Sequence, residues 1–556
     1  MKICYNMLIF IICVCCFSEL STAQPQEESA VKKESISAAE GIIGLEFRDA
    51  ERDSMLDELN DNLESYLKLR ELNLGNSVPP ALLFNPVPAG MRFEMGESHL
   101  KLSPSRNSVL PDNLEELAFY SVRDLAELIR TRKVTSTQLT KIYLERLKRY
   151  DPQLHCLIAL TEDLALKQAK QADEEIAAGK YRGPLHGIPY GAKDLLAVKG
   201  YKTTWGAMPY KDQYIDQNAT VIKKLEEAGA VLVAKLSLGA LAWGDVWFGG
   251  KTRNPWNLEQ GSSGSSAGSA SAVSAGLVAF AIGTETWGSI VSPSTRCGDT
   301  GLRPTFGRVS RSGAMALSWS MDKIGPICRT VEDCAIVFDA IRGSDGFDQT
   351  VVALPFKYDS KIDLTKLRVG YLKSEFGKDT TYANTNEATL NKLRLMNAEL
   401  IPIELPDIPV YSLAFILSAE AGAAFDELTR SGRDSMMVRQ IKDAWPNVFR
   451  ASRFIPAVEY IQANRIRYEL IQQMAQLMEN VDVYVAPSFG TNLLLTNLSG
   501  HPCVVLPNGF NEEGSPTSIS FIGRPYDEGT LLAFAKAYQD ATDFHKEHPP
   551  LFSVGD

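Results

Sequence analysis

The sequence predicts a single large α/β domain with a mixed, largely parallel central sheet covered by helices on both faces. Three observations carry this. Short apolar runs of strand length recur along the 556 residues, at Val231–Ala234, Leu277–Ile282, Leu367–Leu372, Val481–Ala486 and Cys503–Leu506. Helical patterns separate them, the clearest from Val458 to Met478. No internal repeat, heptad or low-complexity tract interrupts the alternation outside one Gly/Ser-rich stretch. Strands alternating with helices bury both faces of a sheet, and parallel pairing follows from the helical crossovers.

The elements are justified in chain order. Lys2 precedes the apolar run Met7–Phe17, and Ser21-Thr22-Ala23 supplies small residues for cleavage, so 1–23 reads as a secretory signal peptide, shorter than a membrane span. Export to a periplasm or the exterior is expected. The alternative is an uncleaved apolar anchor that tethers the protein, whereas a lipid on Cys16 is disfavoured by the cysteine before it. Residues 24–40 read as a polar linker, 41–117 as an N-terminal helical and extended arm, and 118–556 as the main domain.

Within the arm, Asp49–Leu74 is charged and leucine-spaced, a helix or helical pair on the outside of the body. Asn76–Pro111, rich in Pro, Asn and Gly, reads as extended chain. Ser121 is an N-cap with Asp124 three residues on, opening a helix that carries Val122, Leu125, Leu128 and Ile129. A second helix opens near Ser136, with Leu139, Ile142, Tyr143 and Leu147 on one face; a third runs from Thr161 to a stop at Gly179. The helix Ala219–Ala228 then leads into the strand at Val231.

Composition excludes several functions. At 45% hydrophobic and 22% charged, this is an ordinary globular protein, and a dispersed net charge of -11 argues against nucleic acid as a partner. Six histidines show no ligand spacing with cysteines or carboxylates, so neither a metal nor another cofactor is expected. Of nine cysteines, Cys156, Cys297, Cys328, Cys334 and Cys503 lie beyond the leader and read as small buried residues; Cys328 and Cys334 are the pair able to bridge in an oxidising compartment.

The chemistry concentrates in QGSSGSSAGSASAVSAGLVAFAIGTETWGSIVSP, from Gln260 to Pro293. It reads as a Gly/Ser loop, a small-residue helix, a buried strand and a second Gly/Ser turn. Ser265 and Ser289 thereby come to loops flanking one strand, whose C-terminal end is where α/β sheets gather ligands. A serine hydroxyl needs a base to become a nucleophile. His186, His501, His545 and His548 are the histidine candidates. GSSAG, Gly264–Gly268, formally matches a nucleophile elbow around Ser266, but the preceding Asn254–Gln260 is loop chemistry where that fold needs a strand. The other candidate is Lys193 in HGIPYGAKD. A lysine base near neutral pH needs its pKa lowered by roughly three units, about 4 kcal/mol, which burial can supply. Lys193 and Asp194 as a surface pair is the alternative, and spacing alone does not decide.

The set HGIPYGAKD, GSSGSSAGS and GTETWGSIVSP, followed by GLRPTFGRVS, resembles the amidase signature family over residues 120 to 548. The resemblance implies that family's fold and a Ser–cis-Ser–Lys triad. Ser289 matches the nucleophile, Ser265 the relay whose peptide bond with Gly264 is cis, and Lys193 the base. The N–H groups of Thr286, Trp287, Gly288 and Ser289 match the oxyanion hole. Ser266 either supports the triad by hydrogen bonds or caps the helix that follows. Glu285-Thr286 resembles the branch that includes peptide amidases. Trp287 departs from the family's usual glycine, and stands either as a wall of the acyl pocket or as core packing. Val291 replaces the usual arginine, which puts a carboxylate-binding role there in doubt.

The expected activity is hydrolysis of a carboxamide, of a small molecule or a peptide, to carboxylate plus ammonia or amine through an acyl-enzyme, without cofactor. A homodimer is left open. The alternatives within the family are a fatty-amide or ester hydrolase and the A-type subunit of a glutamine-dependent tRNA amidotransferase, against which the export signal and Val291 count. An exported binding protein that retains the fold without the chemistry is a further alternative, opposed by intact Lys193, Ser265 and Ser289.

Overall fold

The computed structural model describes residues 31–43, 45–71, 84–93, 95–105, 109–378 and 382–554. The proposed leader 1–23 lies outside them. Eleven strands form one sheet: β1 Leu157–Leu160, β2 Pro189–Lys193, β3 Val231–Leu236, β4 Phe280–Glu285, β5 Thr300–Arg303, β6 Lys323–Cys328, β7 Val369–Leu372, β8 Leu400–Ile403, β9 Val483–Pro487, β10 Cys503–Phe510 and β11 Pro516–Gly523. Their order is β8-β7-β9-β11-β10-β5-β6-β4-β2-β3-β1. The single α/β domain with a mixed sheet is as the sequence predicts. Parallel pairing occupies β4-β2-β3 and β8-β7-β9. The strands between are antiparallel, because β10 and β11 form a hairpin and β5 and β6 pair with opposed directions.

The helices Val122–Arg130, Ser136–Leu154 and Glu162–Ala177 form where their caps and apolar spacing place them. Ser121 accepts the amide of Asp124, and Thr135 with Gln138 forms a capping box that starts the second helix one residue beyond its cap. The strand expected at Leu277–Ile282 instead begins at Phe280. Gly276, at φ +65°, and the Leu277 amide, bonded to the carbonyl of Ala272 at 2.8 Å, cap the preceding helix Ala267–Ser274. Leu277 and Val278 are therefore buried in a cap and not in the ladder.

The stretch expected as a polar linker turns helical at Lys33, as far as Ile43. This helix lies against the helix Asp49–Arg70, with Glu40 accepting both Nε and Nη2 of Arg52 at 2.7 Å. Ile36, Phe47, Met55 and Leu59 pack on Ala451 of the main body, which makes this segment part of the folded body. In the extended arm, His99–Lys101 pairs in parallel with Lys357–Asp359. All five described cysteines are buried and free, so Cys328 and Cys334 do not bridge; Cys334 Sγ instead faces the carbonyl of Thr300. No described helix is long and apolar enough to cross a membrane.

Candidate active site

β2 and β4 run in parallel, with Ala192 in register with Ile282, so their C-terminal ends emerge side by side. That places Lys193, last residue of β2, beside Thr284 and the turn 286–289 that follows β4. The Gly/Ser loop 261–266 closes over the same edge. Gly264 is required there, since a side chain on it would meet the carbonyl of Gly244 at 1.9 Å, and its peptide bond with Ser265 is cis.

The three residues expected to form a triad are contiguous. Lys193 Nζ donates to Ser265 Oγ at 2.9 Å, and Ser265 Oγ donates to Ser289 Oγ at 3.0 Å. Lys193 also reaches Thr284 Oγ1 at 2.8 Å and Ser266 Oγ at 3.1 Å. Ser266 Oγ in turn accepts the amide of Thr284 at 3.1 Å and donates to its carbonyl at 3.0 Å, so its side chain serves this cluster and does not cap the helix. Lys193 and Asp194 are both fully buried. They are not a surface pair: Asp194 bonds Lys235 at 2.6 Å and the amide of Thr204 at 2.8 Å. Burial lowers the Lys193 pKa from 10.5 to about 7, against the opposing pull of the Asp322 and Glu285 carboxylates.

The turn is built by Glu285. Its Oε2 accepts the amides of Ile290 and Val291 at 2.8 and 2.9 Å, and its Oε1 takes Arg303 Nη1 at 2.7 Å and Asn497 Nδ2 at 2.8 Å. Burial raises the pKa of this carboxyl, but Arg303 and these hydrogen bonds outweigh it and hold it at about 2. With those two amides engaged, the N–H groups of Thr286, Trp287, Gly288 and Ser289 have no acceptor among the described residues. Gly288 has φ +84°, a conformation that favours glycine, and lets the turn reverse beneath these donors. Thr286 Oγ1 donates to Asp322 at 2.6 Å, and Asp322 also accepts the amides of Leu317 and Ser318 at 2.8 and 3.0 Å. Burial pushes its pKa above the usual carboxylate range.

A cavity of about 270 Å³ abuts this edge, lined by Thr284, Thr286, Ala242, Met315, Leu317 and Ile324 among others. Larger cavities lie elsewhere, among them one beside Arg329 and Lys536 and one beside Met91 and His501, and these two include none of Lys193, Ser265 and Ser289. Trp287 is 37% exposed, with its ring 6.4 Å from that of Tyr411, so it is not core packing. Val291 is buried against Leu493, Cys503 and Val505 and offers nothing to a carboxylate. No histidine bonds any of the three serines among the described residues. His186 Nδ1 accepts the amide of Arg182, and His501 Nδ1 faces Ser499. The segment before Ser266 is a short surface ribbon, Arg253–Asn254 with Asn257–Gly261, and not a strand of the central sheet.

Sequence reasoning misses Thr284, Asp322 and the Arg303–Asn497 pair. Thr284 has a signal: it is a hydroxyl residue at the C-terminal end of the strand, two residues before Thr286. Arg303 sits inside the GLRPT run, which marks it only as part of a motif. Asp322 and Asn497 are brought in by tertiary packing alone.

The model of the Amidase family matches residues 138–495. The A-type subunit of the glutamyl-tRNA(Gln) amidotransferase of Roseiflexus sp. is 34% identical over 78% of this chain and 98% of its own length. Its counterpart in Carboxydothermus hydrogenoformans is 31% identical over 78% of this chain and all of its own. Among solved structures, native peptide amidase from Stenotrophomonas maltophilia matches with a TM-score of 0.70 at 29% identity, covering 79% of this chain and all of that one. An amidase family protein from Bacillus anthracis gives 0.70 at 26% identity, over 78% and 93% of the two chains. The chain belongs to the amidase family.

Proposed function

We propose that this protein hydrolyses a carboxamide through an acyl-enzyme on Ser289, with Ser265 as proton relay and Lys193 as base. The observation that carries the reading is the unbroken Lys193–Ser265–Ser289 hydrogen-bond chain beside a turn of unengaged N–H groups. Neutral Lys193 takes the proton of Ser265 as Ser265 takes that of Ser289, whose oxygen attacks the amide carbonyl. The oxyanion is received by the N–H groups of the 286–289 turn; such a donor is worth about 3 kcal/mol in the transition state. Ser265 returns a proton to the leaving nitrogen, itself reprotonated by Lys193. Ammonia or an amine departs, and water activated by the same relay releases the carboxylate and frees Ser289. No step needs a metal or organic cofactor.

The structural likeness to peptide amidase supports a peptide or amino-acid-derived amide as substrate. A second reading, the A-type subunit of an amidotransferase, is favoured by the curated relatives, which match over 98 to 100% of their lengths. It uses the same chemistry to liberate ammonia from glutamine for a partner subunit. Export after cleavage near Ala23 belongs to the first reading and is supported by Lys2 and the apolar run Met7–Phe17.

Ammonia release by the purified chain, tested on peptide amides, short aliphatic amides, fatty amides and glutamine, discriminates. Turnover of a peptide amide by the chain alone is the expected result. Turnover restricted to glutamine, and dependent on added amidotransferase subunits, favours the second reading.

A further inference from the structure

His501 takes no part in the catalytic cluster, and all but one of its polar atoms are engaged. Its amide donates to the carbonyl of Thr496 at 3.0 Å, and its own carbonyl accepts Nη2 and Nε of Arg303 at 3.1 and 3.3 Å. Ser499 Oγ lies 2.8 Å from Nδ1 and donates its only proton to the carbonyl of Leu495 at 2.9 Å. Ser499 must therefore accept from His501, which puts the ring proton on Nδ1 and leaves Nε2 a bare acceptor. That Nε2 has no hydrogen-bond partner among the described residues, in a residue only 2% exposed. Burial and the Arg303 charge lower the imidazole pKa to about 3, so protonation does not relieve it.

His501 lines a cavity of about 590 Å³, the size of a site for a small organic molecule. Its walls are largely apolar, with Ile471, Ala475 and Met478 from the helix Ala457–Glu479 and Pro525 from the chain after β11. Its roof is the extended arm, which lies outside the residues 138–495 matched by the family model. Phe84 anchors that arm edge-on against Phe306, beneath the guanidinium of Arg467. Gly500, at φ +80°, admits Pro86, which a side chain there would meet at 2.8 Å. Pro88–Met91 then closes as a turn, with Gly90 at φ +81° and the Met91 amide on the Pro88 carbonyl at 3.2 Å. Gln472 Nε2, on the same cavity, is also buried with no partner among the described residues. Arg524 is engaged, through Nε with the carbonyls of Met478 and Val481 and through Nη2 with Asp482. Glu479 is exposed at the rim. The two buried, unengaged polar groups of this cavity are thus a neutral acceptor and a neutral donor.

We propose that this cavity is a second ligand site, for a neutral molecule with an apolar body and a hydroxyl that donates to His501 Nε2 and accepts from Gln472. The inference stands apart from the Ser289 acyl-enzyme reading. A buried acceptor without a donor carries an unrelieved desolvation cost, and a ligand that supplies the donor recovers it. The site also backs onto the catalytic scaffold, since Arg303, bonded to the His501 carbonyl, holds Glu285 at 2.7 Å.

The test titrates the full chain with para-fluorobenzyl alcohol and with para-fluorotoluene, followed by fluorine NMR of each ligand. The wild type is expected to bind the alcohol saturably and about tenfold more tightly than the toluene, the return on one hydrogen bond to a buried acceptor. In His501→Leu this preference falls to about one, while the backbone carbonyl that holds Arg303 is kept. Ala475→Trp fills the cavity from a half-buried helix position and removes saturable binding of both ligands, a test that holds even where the His501 variant fails to fold. The proposal is overturned by absence of saturable binding of the alcohol to the wild type, or by equal affinity for the two ligands. An undiminished preference in His501→Leu, or unchanged binding in Ala475→Trp, overturns it equally.

Discussion

Thr284 Oγ1 lies 2.8 Å from Lys193 Nζ, nearer than Ser265 Oγ at 2.9 Å. Thr284 and Ser266 both engage this amine, so that a neutral lysine can turn its lone pair to Ser265 while its N–H groups remain bonded. Thr284 is thus a positioning residue. Thr284→Val keeps the shape and removes the acceptor, and should lower kcat by about 10- to 100-fold with little change in KM, the effect of one hydrogen bond to a reacting group. Thr284→Ser should restore most of the rate. A proportional rise in KM would assign Thr284 to substrate binding.

The Lys193 pKa of about 7 fixes the pH dependence. The base must be neutral, so kcat/KM should be low in acid, rise through an apparent pKa near 7 and level off above it. A carboxylate or histidine base would place that rise lower. The profile of kcat/KM between pH 5 and 9 is the check.

The same shift has a consequence for stability. The unfolded chain holds a proton on this lysine up to about pH 10.4 while the folded chain releases it near 7. The unfolded state therefore binds more protons across that window, and stability rises with pH from about 7 upward. The penalty is complete below the folded pKa and amounts to about 5 kcal/mol at its largest. Lys193→Met should abolish turnover yet raise the denaturation midpoint at pH 6, with a smaller gain at pH 9. Urea unfolding at the two pH values measures this.

Trp287 stands exposed two residues before Ser289, with its ring 6.4 Å from that of Tyr411. If the pair forms a wall of the acyl site, Trp287→Gly should raise kcat/KM for bulky acyl groups relative to small ones, and leave the oxyanion donors in place because they are backbone. A series of amides of increasing acyl bulk reads this directly, and an unchanged order of preference would remove Trp287 from specificity.

Most of the site is legible in the sequence because its parts are local. Gly264, Ser265 and Ser266 share one loop, and Thr286 to Ser289 share one turn, so the sequence shows them as two local clusters to which the resemblance gives roles. Lys193 is legible only by resemblance, since nothing local shows that β2 ends beside β4. The long-range members, Asp322 and Asn497, leave no trace, because a carboxylate 36 residues from Thr286 becomes a partner only when β6 pairs with β4. The fold reads in the same way. Capped helices appear where their spacing puts them, whereas the start of β4 is displaced because a helix cap takes Leu277 first. Helix formation before Glu40 is hidden by polar composition; the partner of this buried carboxylate, Arg52, lies 12 residues on.

The central claim is that Ser289 is the nucleophile and that Lys193 acts on it through Ser265. Mass spectrometry of the chain after reaction with a fluorophosphonate tests it most directly. The account predicts one adduct on Ser289 in the wild type, none in Ser289→Ala, and labelling slowed by at least about 100-fold in Ser265→Ala and Lys193→Met. An adduct on Ser266, or undiminished labelling of Ser289→Ala, would contradict it.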